Sequence, residues 1–530
     1  MEFRLERRLS EFFTKETAVK AELIEKNGET DPIVTSLEYD SREVKPGTLF
    51  FALPGLHSDG HNYINEAISK GAVAVVYEQE IQEKKSNIVY LRVKNSRFAM
   101  SPVAATFFSY PSNRLLVAGV TGTEGKSTTV YLIWQLLRLL GKKAGFFSTV
   151  QQSYGDEAMW NPIHQTTPES AIVHKMLWEM VQNGCSYAVI EASSHGLSPK
   201  TNRLGDVEFD AAVFTNISHE HLEFHGSAEQ YRNDKANLFQ ALDRKHKKNI
   251  KAEYIPVPFG VINADDENAV FFTEATKRRT FNFSTTVRDA TITMKSIESS
   301  AWGNWYNIYI PAENQRLDIR DKLPGAFNAG NVIAALLAVS GLTNIPVKEI
   351  IPLCPKLLPV RGRMNSIDKG QPYEVLVDYA HTPSSFQTVF PPLKNRIKKS
   401  GGRIISVFGS AGERDTKKRP EQGKIAAAYS DIIILADEDP RGEQPMDILE
   451  EIAAGVYTHK IDSKSFFEKN KNLFLIPDRP AAIRKALFLA KASDLVLLLG
   501  KGHENSIIYK DHVMPYDEIT EAEKALEEME

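Results

Sequence analysis

Short apolar runs that stop at chemically capable residues recur along this chain. Leu115 to Val120 leads into a glycine-bearing loop, and the spacing then predicts an apolar-periodic helix from Lys126 to Leu140, closed by Gly141. Tyr187 to Ile190 runs into Glu191, Ala211 to Phe214 into Thr215, and Phe259 to Ile262 into Asn263. The habit returns later, with Val375 to Val377 before Asp378 and Ile404 to Phe408 before Gly409. Ile432 to Leu435 and Leu495 to Leu499 then precede Asp437 and Gly500. Short β-rich runs separated by helical stretches predict an α/β protein with parallel sheets, whose ligands gather at the carboxyl ends of the strands.

Two breaks divide the pattern. A turn-like junction at Tyr110-Pro111-Ser112-Asn113 closes a first block, in which Asp40-Ser41-Arg42 belongs to a turn feeding a buried strand up to Ala52. A third block opens near Pro359. Three domains are therefore expected: residues 1–112, a central P-loop parallel-sheet ATPase-like domain over 113–358, and a Rossmann-like domain over 359–530.

Composition narrows the class. With 42% hydrophobic and 25% charged residues, the chain reads as an ordinary globular protein. A formal net charge of -4 gives no basic field, so neither nucleic acid nor an anionic membrane is an expected partner. The two cysteines, Cys185 and Cys354, are far apart and form no CxxC, which excludes a thiolate zinc site and fits a reducing compartment. The N-terminus carries charge where a signal peptide needs an apolar stretch, and the run Val130 to Leu140 is broken by Gln135 and Arg138. A cytoplasmic protein without stable membrane insertion is expected.

Gly122-Thr123-Glu124-Gly125-Lys126-Ser127, with Thr128 behind it, is a shortened P-loop between strand and helix. Glycines let backbone N–H groups wrap phosphate, the helix offers its positive end, Lys126 neutralises oxygens and Ser127 can ligate Mg2+. A P-loop names no reaction, since kinases, GTPases and motor ATPases share it. Glu191, at a strand tip facing that loop, is well placed to hold Mg2+. His219, His221 and His225 fall within seven residues, a density compatible with zinc or a structural cluster. Without thiolates or an HExxH helix, one imidazole at a magnesium site is the better reading. Lys235 has the look of a helix-surface lysine, and nothing in its setting selects it.

Taken together, Gly122 to Ser127, Glu191-Ala192-Ser193-Ser194-His195, Thr215-Asn216-Ile217-Ser218 and Asp378-Tyr379-Ala380-His381-Thr382-Pro383 resemble the Mur ligase family. The likeness is greatest to its branch that adds the third, diamino residue of the peptidoglycan stem peptide. It runs in order through nearly the whole chain, including Asp40-Ser41-Arg42 and Asp59-Gly60-His61. It implies an ATP-dependent ligase using Mg2+ and passing through an acyl phosphate. The implied substrates are UDP-MurNAc-L-Ala-D-Glu and a diamino acid, handled by a monomer.

The resemblance also distributes roles. Ser41 and His57 would contact the UDP part, and Thr166, Thr167, Ser193 and Arg203 the muramoyl peptide. Lys235 falls where the family carries a lysine carbamate that helps hold a second Mg2+, joined by His221 and Glu191. Asn328 or Asn331 would lie near adenine, with Arg363 and Asp378 closing over ATP; from spacing alone, Asn328, Asn331 and Asp378 read as helix caps. Arg414 would clamp a carboxylate of the incoming amino acid.

The identity of that amino acid stays open. Asp437-Glu438-Asp439-Pro440-Arg441 occupies the place where diaminopimelate-adding members read Asp-Asn-Pro-Arg. Arg441 favours meso-diaminopimelate, whereas the negative charge of Asp439 suits the bare ammonium of lysine or ornithine. Gly500 and Glu504 fit either. Two rivals remain: a folylpolyglutamate synthase-like ligase, which lacks a UDP-binding first domain, and a P-loop regulatory ATPase that performs no ligation.

Overall fold

The computed structural model describes residues 4–529, apart from 56–57, 164, 219–221, 245–247, 251, 287–288, 301–302 and 459–466. Its contacts separate two compact units, Met1–Ser284 with Ile333–Ile350, and Thr285–Val332 with Ile351–Glu530. The division by contacts thus falls at different positions from the breaks in the hydrophobic pattern.

Each apolar run became a strand. In the first unit, Ala144–Phe147, Tyr187–Glu191, Leu116–Thr121, Ala211–Phe214, Phe259–Asn263 and Thr280–Ser284 lie side by side in that order, all parallel. Gln151–Ser153 and Met159–Trp160 extend the edge antiparallel. Every residue of Leu116–Thr121 is buried, as a central parallel strand covered on both faces requires. Register sets the site: Glu191 pairs with Val120 and Phe214 with Thr121, so both neighbours end beside the start of the P-loop.

The first unit also holds a five-stranded sheet, ordered Leu23–Asn27, Val89–Val93, Ala72–Tyr77, Thr48–Phe51 and Ser36–Glu38. Only its first pair is antiparallel. Helix Ser96–Phe107 contributes Ala99, Met100, Val103 and Phe107 to the core of this sheet. Its start is fixed by Asn95, whose side chain accepts the Phe98 N–H at 2.8 Å.

The second unit carries an antiparallel meander, Ile292–Ser300, Gly303–Ile310 and Gln315–Asp321, which the hydrophobic pattern did not announce. Its main sheet runs Asn365–Ile367, Glu374–Asp378, Leu495–Leu499, Ile404–Phe408, Ile432–Leu435 and Leu473–Leu475. All but the first pair are parallel. Helix Pro383–Ser400 opens on a Thr382/Ser385 capping box and closes at Gly401, whose φ of 73° is cheap only for glycine. The mixed α/β class with parallel sheets is as the sequence predicts. Among the described residues no single helix is long and apolar enough to cross a membrane.

Candidate active site

Parallel register brings Thr121, Glu191 and Phe214 to one edge, and the loops beyond them interlock. Gly122 stands at φ 148°, and a Cβ there would sit 1.9 Å from Thr215 Oγ1, so only glycine fits. Asn216 braces the P-loop: its carbonyl accepts the Thr123 N–H at 2.8 Å, and its side-chain oxygen accepts the Glu124 N–H at 2.9 Å. Thr215 Oγ1 donates to the Glu124 carbonyl at 2.6 Å. Asp266 in turn accepts the Ile217 N–H at 2.7 Å. The Thr215–Ser218 segment is thus a brace for the phosphate loop. Gly125, at φ 82°, starts helix Lys126–Leu139, and Lys126 Nζ donates to the Thr123 carbonyl at 2.7 Å. Thr128 lies in the first turn of that helix.

Glu191 is 1% exposed and its carboxylate is fully engaged. Oε2 accepts the Ser127 hydroxyl and the Thr149 N–H, both at 2.8 Å, and Oε1 accepts Thr149 Oγ1 at 3.1 Å. Thr149 continues to Thr166 at 3.0 Å. Thr167 Oγ1 donates to the Glu191 carbonyl at 2.8 Å and accepts the Ser193 N–H at 3.0 Å. Arg203 donates to the Thr167 carbonyl at 2.8 Å. Ser127, Glu191, Thr166, Thr167, Ser193 and Arg203 therefore form one connected set. Thr149 was missed from sequence, because a threonine after a short strand carries no signal of its own.

Lys235 needs correction. It is no surface lysine but 1% exposed, with Nζ donating to the Gly122 carbonyl at 2.5 Å and lying 4.5 Å from the Tyr231 ring centroid. Burial of a cation against the P-loop is a tertiary fact that helical spacing cannot reveal. His225 is buried, with Nδ1 2.7 Å from Asp234 and Nε2 3.0 Å from the Ser194 hydroxyl. Burial lowers its pKa, and both ring nitrogens are committed. His219, His221 and His57 lie outside the described residues. Among the described residues no group of three or more His, Cys, Asp or Glu could hold a metal ion.

Ser41 is buried, and its carbonyl accepts Lys70 Nζ at 3.0 Å. Beside it Arg42 grips Asp40 through Nε at 2.9 Å and Nη2 at 2.6 Å, which holds the Asp40 carboxyl below its ordinary range.

In the second unit, Asp378 is buried and accepts the Met364 and Ala380 N–H groups at 2.9 and 2.8 Å, so it ties loops together and caps no helix. Asn328 begins helix Asn328–Thr343, but its side-chain nitrogen donates back to Pro324 at 2.7 Å, and Asn331 donates to Asn328 at 3.0 Å. Arg363 lies over the Tyr379 ring at 4.6 Å.

Lys501 changes the reading of the amino-acid residues. Fully buried, it donates to Asp439 Oδ1 at 2.8 Å and to Glu504 Oε2 at 2.5 Å. Asp439 also accepts the Ile508 N–H at 3.0 Å, and Glu504 accepts the Tyr379 hydroxyl at 3.3 Å. Burial raises the Glu504 pKa, opposed by Lys501. Lys501 is thus shared between Asp439 and Glu504, so Asp439 meets a cation inside the protein while the trio keeps one negative charge. The signal was present in Gly500-Lys501-Gly502-His503-Glu504, where Lys501 sits between two glycines. Gly500 has φ 102°, and a Cβ added there would sit 3.1 Å from Glu438 Oε2. Arg441 adopts φ 56°, donates its N–H to Ile508 at 2.9 Å, and buries an Nε that has no hydrogen-bond partner. Arg414 is exposed, beside a loop pinned by buried Arg419 through Ala411 at 3.2 Å and Glu443 at 2.8 Å.

Comparison with known proteins gives the family. Residues 33–108 match the Mur ligase family catalytic domain, 120–339 the Mur ligase middle domain, and 362–502 the Mur ligase glutamate ligase domain. UDP-N-acetylmuramyl-tripeptide synthetase of Treponema denticola is 51% identical, over 97% of this chain and 98% of the relative. That of Treponema pallidum is 47% identical over 93% of both. Among solved structures, a UDP-N-acetylmuramoyl-L-alanyl-D-glutamate–2,6-diaminopimelate ligase superimposes with a TM-score of 0.61 at 26% identity, covering 93% of this chain and 95% of its own.

Proposed function

The chain belongs to the Mur ligase family, and we propose that it is the ATP-dependent ligase that joins a diamino acid to UDP-N-acetylmuramoyl-L-alanyl-D-glutamate in peptidoglycan synthesis. The observation that carries this reading is the buried meeting of Ser127 with Glu191, which ties the phosphate loop to the Thr166–Thr167–Ser193–Arg203 set. A phosphate-binding loop and the groups assigned to the acceptor are thereby parts of one network, as transfer of a phosphoryl group to a bound carboxylate demands.

A carboxylate is a poor acyl donor. Its oxygen attacks the γ-phosphorus of ATP, the bond to the bridging oxygen breaks, and ADP leaves. The amine then attacks the acyl carbon, loses a proton, and phosphate departs. Gly122 to Thr128 cradle the phosphates, with Lys126 neutralising their oxygens. A hydroxyl and a carboxylate, Ser127 and Glu191, are hard oxygen donors that fit Mg2+, and we assign Lys235, as a carbamate, and His221, with Glu191, to a second ion. When bound, these ions offset the negative charge gathered around the moving phosphoryl group.

We assign residues 1–112 to the uridine nucleotide through Ser41 and His57, 113–358 to ATP, and 359–530 to the amino acid. Asn328, Asn331, Arg363 and Asp378 are given to the nucleotide, and Arg414, Asp439, Arg441, Gly500 and Glu504 to the amino acid, Asp439 acting through its tie to Lys501. A cytoplasmic monomer fits substrates as polar as ATP and a UDP-sugar peptide.

The test supplies purified protein with ATP, UDP-MurNAc-L-Ala-D-Glu and, separately, diaminopimelate, lysine or ornithine, reading ADP and product mass. One lengthened precursor is expected. ADP release that ignores every amino acid, with no product, would replace this reading by the regulatory ATPase.

A further inference from the structure

We propose that Arg97 is a further substrate-binding residue, forming with Arg203 a paired-guanidinium seat for an anionic group of the UDP-muramoyl precursor; this rests on the reading above. Arg97 stands in the first turn of helix Ser96–Phe107, and Arg203 in the loop after Thr201. Both reach the same oxygen. Glu169 Oε1 accepts Arg97 Nη1 at 2.5 Å and Arg203 Nη2 at 2.7 Å.

The side chains are 24%, 4% and 14% exposed for Arg97, Glu169 and Arg203, so water screens them little. Two guanidiniums share one carboxylate, which leaves one positive charge unmatched within the trio. Hydrogen bonding is incomplete as well: Arg203 Nε and Glu169 Oε2 are buried without hydrogen-bond partners. Glu169 is the N-cap residue of helix Ser170–Gln182 yet caps nothing with its side chain, having turned to the two arginines. A purely structural ion pair closes its charge and its donors. Here a cation and a donor are left over, beside Thr167 and Ser193, and a forked guanidinium pair is suited to planar or tetrahedral oxyanions. The anion is either a carboxylate of the peptide or the diphosphate of the nucleotide. Glu169 is the positioning residue that holds the fork.

The test measures binding of UDP-MurNAc-L-Ala-D-Glu, UDP-GlcNAc and ATP to the full chain, its Arg97→Gln variant and its Arg97→Lys variant. Arg97→Gln should weaken the full precursor about tenfold or more and leave ATP within about twofold, with Arg97→Lys falling between. Loss confined to the full precursor assigns the peptide carboxylate, and equal loss for UDP-GlcNAc, which carries no carboxylate, assigns the diphosphate. Unchanged precursor affinity in Arg97→Gln overturns the proposal, as does parallel weakening of precursor and ATP, the mark of a structural tie. Should Arg97→Gln not fold, Arg97→Lys alone decides: a selective loss supports the seat, and none overturns it. If the unaltered chain binds no precursor at all, it is the functional reading that fails.

Discussion

The hydroxyl of Ser127 donates to the carboxylate of Glu191 at 2.8 Å, joining the first turn of the P-loop helix to the tip of the adjacent strand. Glu191→Gln keeps the size of the group and removes its charge, so the loop should still form while the hold on Mg2+ weakens. Turnover is expected to fall about a hundredfold or more, with the melting temperature little changed. Steady-state ADP release beside a thermal scan checks both halves, and unimpaired turnover removes Glu191 from the site.

Lys235 is buried against the Gly122 carbonyl. If its working form is a carbamate, Lys235→Ala should nearly abolish ligation and short carboxylic acids should restore part of it by supplying the missing oxygens. Full activity in that variant, or loss with no rescue at any acid concentration, removes the carbamate role.

Fully buried Lys501 holds together Asp439, 10% exposed, and Glu504, 30% exposed. Lys501→Met leaves two carboxylates unmatched and should cost about 3 kcal/mol in denaturant unfolding, because breaking a buried pair strands its partner. Adding Asp439→Asn should recover part of that loss. KM for the amino acid should rise while KM for ATP holds; stability that is indifferent to either change would mean the triad is not a charge pair.

His174 lies fully buried in helix Ser170–Gln182, neither ring nitrogen has a hydrogen-bond partner, and burial lowers its pKa to about 3. The unfolded chain takes up a proton near pH 6.5, which the folded one refuses until far lower pH. Stability should therefore fall with acidity below that point, by about 2 kcal/mol at pH 5 relative to pH 7.5. His174→Leu should flatten this part of the profile. Parallel profiles for the two proteins would show that another group is responsible.

The sequence alone determined the class and the direction of the chain's parallel strands, because fully buried strands must be continuous apolar runs, and Tyr187–Glu191 or Leu495–Leu499 can be little else. It also determined the phosphate loop, since Gly122 and Gly125 declare backbone angles that other residues resist. What only the tertiary structure decided was the environment of charge. Lys235 reads as an ordinary surface lysine until non-local strands and helices bury it, and Asp439 reads as a free carboxylate until Lys501 arrives from 62 residues away. Burial and pairing are properties of distant segments brought together, and no local spacing encodes them.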